Sequence, residues 1–430
     1  MNNKKVELLS PAGSLEKLKI AIKYGADAVY AGVSHFSLRI RAGKEFTFET
    51  FKEGIDYAHA RGKKVYATIN GFPFNSQIEL LKKHIEKMAE LEPDGFIVAA
   101  PGVVKLCREI APQIDIHLST QANVLNYLDA QVFWDMGVKR IVVAREISLK
   151  DVIEIKKHLP DMEIEIFVHG SMCFAYSGRC LVSAVQMGRV PNRGSCANDC
   201  RFEYTLYAAN EDHSTLFRLE EEPGVGTYIF NSKDMNLASH IKEILDSGAV
   251  DSLKIEGRTK SPYYAAVTAK AYRNAIDDYY SGNFESSKYQ KELYTTKNRG
   301  FTDAYLIHRP FEKTDSQNHD YALSKGSYEV TGLVTEDEEH FLCKYKVYPN
   351  EDIEIFTPNN EILEECESEI GKIFKKEDGL YYISFKKILT ETNKELESVH
   401  SGNVNKIKLP GKLPYLTMFR IENIDGTIVE

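Results

Sequence analysis

The chain predicts an α/β fold: a TIM-like (β/α)8 barrel with a cysteine-bearing insertion, followed by a small all-β domain, a barrel or a sandwich. Three observations predict it. Over roughly the first 260 residues short apolar runs alternate with amphipathic stretches, which is the pattern of parallel βα units. No GxGxxG opens any unit, and this favours a closed barrel over a doubly wound sheet. From about Ser324 onward the runs become short and β-like, with acidic turns between them.

Nine runs qualify as strands: Val6–Leu9, Ala28–Ala31, Val65–Ile69, Gly95–Ala99, Ile114–Leu118, Arg140–Ala144, Ile164–Val168, Thr227–Phe230 and Ser252–Ile255. Leu15–Tyr24, Phe48–Ala60, Ile78–Leu91 and Leu149–His158 carry apolar residues at helical spacing between them. Nine is one more than a barrel needs, and nothing in the sequence says which run lies outside. Residues 1–310 are assigned to the barrel, with an insertion at 169–226. Asn298–Asn318 reads as the link, and 324–430 as the β domain, with runs at Tyr328–Val334, Phe341–Val347, Ile353–Phe356, Leu380–Phe385 and Val404–Leu409. The acidic stretches TEDEEH (335–340) and NEILEECESE (360–369) read as solvated edges.

Barrel sites collect where strands end at their C-termini. Those ends carry Ser10, Gly13, Gly32, Asn70, Ser119, Thr120, Gln121, Asn123, Arg145, Glu146, His169, Asn231, Asp234, Glu256 and Arg258. Caps and turns use the same residue types, so each one alone is weak evidence. His169, Glu256 and Arg258 are the candidates for catalytic roles.

The 169–226 connection departs from the repeat and reads Cys173-x6-Cys180-x15-Cys196-x3-Cys200. A long insertion after a strand is usually functional or disordered. Four thiolates can hold zinc or an iron–sulfur cluster. The long, uneven spacing fits a cluster wrapped by a loop better than the paired CxxC spacing of structural zinc. Both metals, and no metal at all, stay open on spacing alone. Cys107, Cys343 and Cys366 are scattered and read as core or chance. His169, four residues before Cys173, could form a thiol dyad, contact a metal, donate a proton or pack at the rim. HExxH and GxSxG are both absent.

Arg179, Arg189, Arg193 and Arg201 frame the cysteines. Arg39, Arg41, Arg145, Lys254, Arg258, Lys260 and Arg299 are further basic candidates. Phe174, Tyr176, Phe202, Tyr204, Tyr263 and Tyr264 lie among them. Arginine beside aromatics suits phosphate contacts and base stacking. The net charge of -9 excludes a uniformly basic nucleic-acid surface but not a local basic groove. The N-terminal MNNKKVELLSPAG has no apolar h-region, and no run of about 18 apolar residues occurs. A cytoplasmic, membrane-free, reducing setting is therefore expected, and there cysteines seldom pair.

The segments EIFVHGSMCFAYSGRCLVS (165–183), ELLSPAGS (7–14), GADAVYAG (25–32), HLSTQAN (117–123), NRGSCANDCRFEY (192–204), NSKDM (231–235), SLKIEGRTKSPYYAAVTAKAYR (252–273) and NRGFTDAYL (298–306) resemble the collagenase-like peptidase family U32 over essentially the whole chain. Despite the peptidase label, several members of that family are implicated in oxygen-independent hydroxylation. This chain most resembles the branch acting on the tRNA wobble uridine. The resemblance implies an enzyme with an iron–sulfur cluster, of the 4Fe–4S kind, held by Cys173, Cys180 and Cys196 with Cys200 as fourth ligand. It also implies prephenate as the hydroxyl source. Implied partners are a tRNA anticodon loop, gripped by Arg179, Arg193 and Arg201, and the iron–sulfur assembly machinery. The alternatives are a peptidase acting on a peptide substrate, a zinc site, or a non-enzymatic binding or assembly protein.

Overall fold

The structure, a computed structural model, describes residues 5–33, 36–37, 46–209, 216–219, 230–308, 316–318 and 326–423. Its barrel strands are β1 (Glu7–Pro11), β2 (Ala28–Ala31), β3 (Lys64–Ile69), β4 (Gly95–Val98), β5 (Asp115–Leu118), β6 (Arg140–Val142) and β7 (Glu163–Ser171). After a hairpin of β8 (Tyr207–Ala209) and β9 (Leu216–Arg218) come β10 (Asp234–Asn236), β11 (Ser252–Ile255) and β12 (Phe301–Thr302). Each of β1 to β6 pairs in parallel with the next, and β11 pairs in parallel with both β1 and β7, which closes a ring of eight. Strands β2 and β4 are buried along their whole length. A parallel strand covered on both faces needs such unbroken apolar runs. The expected barrel is therefore present, built from eight of the nine runs. The ninth, Thr227–Phe230, lies outside the described residues except for Phe230, as do Arg39 and Arg41.

Strand β10 continues the sheet outside the ring. It runs antiparallel to β7 and carries β12 on its other edge. The buried Arg299–Asp234 ion pair fixes this extension, helped by Arg299 donating to the Ser232 carbonyl at 3.2 Å and to Ser171 Oγ at 3.3 Å.

The floor of the barrel is ionic. Arg140 reaches Glu7 at 2.5 Å, Glu163 at 2.7 Å and Glu165 at 3.1 Å. Tyr66 and Ser252 donate to Glu7 at 2.6 and 3.0 Å. Burial works against the Arg140 charge, but Glu7 and Glu165 outweigh it and hold the guanidinium well above its ordinary range. Just above, His117 packs on Tyr66 with ring centroids 4.5 Å apart. Burial, reinforced by Arg140 and Lys254, keeps His117 neutral.

Contacts divide the chain into two units, Met1–Ile22 with Ala26–Gln290 and Asn298–Ser324, and Lys23–Gly25 with Lys291–Lys297 and Lys325–Glu430. The second unit holds one antiparallel half-barrel sheet. Its strands lie in the order Cys366–Glu367, Gly371–Lys375, Tyr381–Phe385, Ile353–Phe356, Met418–Glu422, Tyr328–Val334, His340–Cys343 and Ile407–Lys408. Phe341, Phe385 and Phe419 fill its core, with Cys343 among them and Cys366 packed against it. Cys107 is buried in the Pro101–Ile110 helix. Burial pushes the Cys107 thiol up to about 12 and the Cys343 thiol up to about 11, so both stay protonated. Among the described residues no helix is long and apolar enough to cross a membrane.

Candidate active site

A cavity of about 430 Å³ opens at the C-terminal ends of the barrel strands. Its walls come from two sources. The strand ends supply Asn70, Ser119, Thr120, Gln121, Arg145, Lys254, Glu256 and Arg258; the insertion supplies Cys173, Cys180, Cys196, Cys200 and Arg201. All four cysteines therefore face one space, together with seven of the strand-end residues expected there, whereas Ser10, Gly13, Gly32, Asn123, Glu146, Asn231 and Asp234 do not line it.

The ring is cross-braced. Asn70 donates to Gln121 at 2.9 Å, and Gln121 returns a hydrogen bond to the Asn70 carbonyl at 3.1 Å. Arg145 lies flat over Phe167 at 4.0 Å, donates to Ser177 Oγ at 2.9 Å, and stands 3.7 Å from Glu256. Tyr30 donates to the Glu256 carboxylate at 3.4 Å. Arg258 donates to Ser37 Oγ at 2.7 Å and to Thr68 Oγ1 at 3.1 Å. Lys254, buried above the floor, is paired with Glu165 at 2.6 Å and lies 4.5 Å above the Tyr30 ring. Ser37, Tyr30, Thr68 and Phe167 escape the sequence reading as site residues. Tyr30, Thr68 and Phe167 lie near the C-terminal ends of their strands, a signal that could have found them; Ser37 carries no such signal.

Two glycines set this geometry. Gly170 has φ +106, and a Cβ there would stand 2.5 Å from the Glu256 carbonyl. Only glycine lets β7 pass so close beneath the residue that carries the cavity carboxylate. Gly13, in the loop after β1, would put a Cβ 2.0 Å from the Arg258 carbonyl. The backbone bearing Arg258 thus rests directly on that loop.

His169 takes a different position from the one expected of a strand-end residue. The register of β7 against β11 slips after Phe167, so that Lys254 pairs with Phe167 but Ile255 with His169. A bulge of this kind re-aims the residues beyond it. Phe167 lines the cavity, whereas His169 does not. Its ring packs among Tyr264, Tyr272 and Phe301, with Nδ1 3.3 Å from the Tyr272 hydroxyl. Burial, with Lys260 adding to it, lowers His169 to about 3. Among the described residues it makes no hydrogen bond to a cysteine, so the geometry of a thiol dyad is missing. Of the three arginines expected to grip RNA, Arg201 lines the cavity, Arg193 lines a neighbouring one, and Arg179 is exposed on the insertion and lines neither.

The four thiols are free, Cys173 and Cys196 exposed, Cys180 and Cys200 half-buried. Burial raises the Cys200 thiol, Arg201 opposes this, and Cys173, Cys196 and Cys180 each raise it further. The thiols are thus near enough to feel one another. Among the described residues no three Cys, His, Asp or Glu side chains form a group set to grip a single ion. Four thiols facing one space are a donor set that fits either an iron–sulfur cluster or zinc.

The model of peptidase family U32 matches residues 13–316. A "tRNA hydroxylation protein P" of Helicobacter pylori is 65% identical over 417 residues, 97% of this chain and 99% of its own length. The Escherichia coli protein of the same name is 39% identical over 413 residues, 86% of this chain and 90% of its own. A "Collagenase" of Porphyromonas gingivalis is 31% identical over 320 residues, 71% of this chain and 75% of its own.

Proposed function

The chain belongs to peptidase family U32, and on that premise we propose that it is a tRNA-modifying enzyme that hydroxylates C5 of the wobble uridine without oxygen. The observation that carries the reading is the shared cavity: four cysteines from the insertion and a braced ring of Arg145, Lys254, Glu256 and Arg258 face the same space. In this reading Cys173, Cys180, Cys196 and Cys200 hold an iron–sulfur cluster, which supplies the redox chemistry that no side chain provides. Prephenate is the proposed hydroxyl source, and the Arg145 and Arg258 guanidiniums suit its carboxylates.

The remaining roles belong to the protein's own groups. A single-stranded wobble base can leave its stack and enter a pocket with aromatic and polar walls. Phe174, exposed and lining this cavity, offers such a face. Glu256, steadied by Tyr30 and by the Tyr264 hydroxyl bond to its own carbonyl at 2.6 Å, is placed to hold a proton at the cavity wall. Arg201 at the rim suits an RNA phosphate.

A peptidase reading has the collagenase relative in its favour. It needs an activated nucleophile, and His169 turns away from the cavity. Mass spectrometry of tRNA nucleosides tests the choice in cells lacking this protein and any second wobble-hydroxylation pathway. Loss of 5-hydroxyuridine-derived nucleosides is expected. Unchanged modification would remove the tRNA reading.

A further inference from the structure

A second cavity, of about 400 Å³, lies beside the first and shares Arg189 with it. One wall is the loop after β3, Gly71 to Pro73 with Gln77; the other is the insertion's turn from Gly188 to Ser195. The Phe72 amide ties the walls together by donating to the Asn192 carbonyl at 3.3 Å. The resemblance implies an RNA grip for Arg193 alone; Arg189, Phe74 and the cavity as a whole have no task in it or in the roles proposed above.

Its chemistry is that of a held anion. Arg193 lies over the Phe74 ring at 4.1 Å and donates to Gln77 Oε1 at 3.2 Å. Gln77 is itself fixed, because the same oxygen accepts from the Phe74 amide at 3.0 Å. Stacking on one side and a side-chain anchor on the other leave the guanidinium in a set plane, which lowers the entropy lost when it grips a phosphate. Arg189 is anchored through Nε to the Ser195 carbonyl at 2.9 Å. Both arginines thus sit on one tight turn, and Arg189 stands where the two cavities meet. Phe74, 59% exposed although Arg193 covers one part of it, offers apolar ring surface next to this basic turn.

We infer that the second cavity seats the phosphodiester of a nucleotide flanking the target uridine, with Arg193 and Arg189 as its grip and Phe74 as a face for the adjoining base. The inference rests on the tRNA reading and adds to it a way of holding the strand while one base is drawn into the cysteine-lined cavity. Extruding a base costs unstacking energy. Contacts to a neighbouring phosphate offset that cost and fix register without reading sequence.

The test uses the full-length protein and synthetic anticodon stem–loop RNAs. In two of these RNAs one of the phosphodiesters flanking the wobble uridine is replaced by a neutral methylphosphonate. Fluorescence anisotropy at two salt concentrations reads affinity. One of the two replacements should weaken wild-type binding about tenfold, the scale of one charge-assisted contact. Arg193→Ala should weaken the unmodified RNA by a similar factor and flatten the salt dependence by about one unit of slope. Joined together, the two changes should cost no more than either alone. Arg193→Lys should restore the slope but only part of the affinity, because the planar fork is lost. Wild-type binding indifferent to both replacements would overturn the inference, whether or not Arg193→Ala folds, and would leave the tRNA reading intact. Losses that simply multiply would overturn it too. Failure of wild type to bind the unmodified stem–loop would instead bring down the tRNA reading, and this site with it.

Discussion

The two ends of the barrel use charge in opposite ways. At the floor Arg140 is buried among Glu7, Glu163 and Glu165 at 2.5 to 3.1 Å, and Tyr66 and Ser252 satisfy Glu7 further. At the mouth Arg145 stands 3.7 Å from Glu256, Arg258 is held by hydroxyls, and two of the four thiols are exposed. Closely paired charges fix a structure but offer nothing to a ligand. Charges that face a cavity can act on whatever enters it. Floor and mouth are joined through Lys254, which pairs with Glu165 below and lines the cavity above.

The largest effect on stability is expected at the floor. Arg140→Met takes a buried cation away from Glu7, Glu163 and Glu165, of which Glu165 keeps Lys254 at 2.6 Å, and should cost about 3–5 kcal/mol in urea denaturation. The deficit should shrink as pH falls toward 5, because carboxylates that have lost their cation titrate higher and can then be neutralised. A deficit independent of pH would mean that packing, not charge, holds the floor.

Gly170→Ala should cost about 1–3 kcal/mol from its backbone conformation alone, and it also presses on the Glu256 carbonyl. Unlike Arg140→Met, it should reduce tRNA hydroxylation in the molecules that remain folded. Equal loss of stability and activity in both variants would erase the distinction between floor and mouth.

His169 provides a smaller, pH-resolved comparison. Its folded value, about 3, lies below its ordinary 6.5. The unfolded chain therefore binds an extra proton between those values, and the associated stability is present above 6.5 and lost as pH falls toward 3. His169→Phe should make the fall in stability across that window shallower by about one proton. An unchanged slope would mean that the ring is charged when folded.

Arg258→Ala should change stability less than Arg140→Met does, since two of the groups it leaves, Ser37 and Thr68, also bond each other at 2.7 Å. Yet it should lower hydroxylation about a hundredfold, if its charge is used at the mouth. The check is to measure denaturation and tRNA nucleosides on the same preparation.

Much of this contrast was legible in the sequence. The eight barrel runs were readable because they are short, mostly apolar and alternate with amphipathic stretches, as parallel strands covered by helices are. The four cysteines were readable because their insertion breaks the repeat. Strand β10 was not, because three residues of sequence Asp-Met-Asn carry no strand pattern and owe their conformation to pairing with β7. The cradle of Arg258 was hidden by distance, its partners lying 221 and 190 residues away. The floor left a weak trace in Glu163-Ile164-Glu165, where alternation puts both carboxylates on one side of β7. Of the roles left open for His169, packing is the one its surroundings match; the single-residue bulge that turns it from the cavity is invisible to periodicity.

We propose that the mouth's thiols carry a cluster while the floor holds the fold. The most direct measurement is iron, acid-labile sulfide and zinc in anaerobically purified wild type, Cys173→Ser and Cys180→Ser, each paired with a urea midpoint. Brown wild-type protein with iron and sulfide in comparable amounts is expected, with colour lost in both variants and the midpoints of the cluster-free proteins alike. Colourless wild-type protein carrying stoichiometric zinc after anaerobic preparation would contradict it.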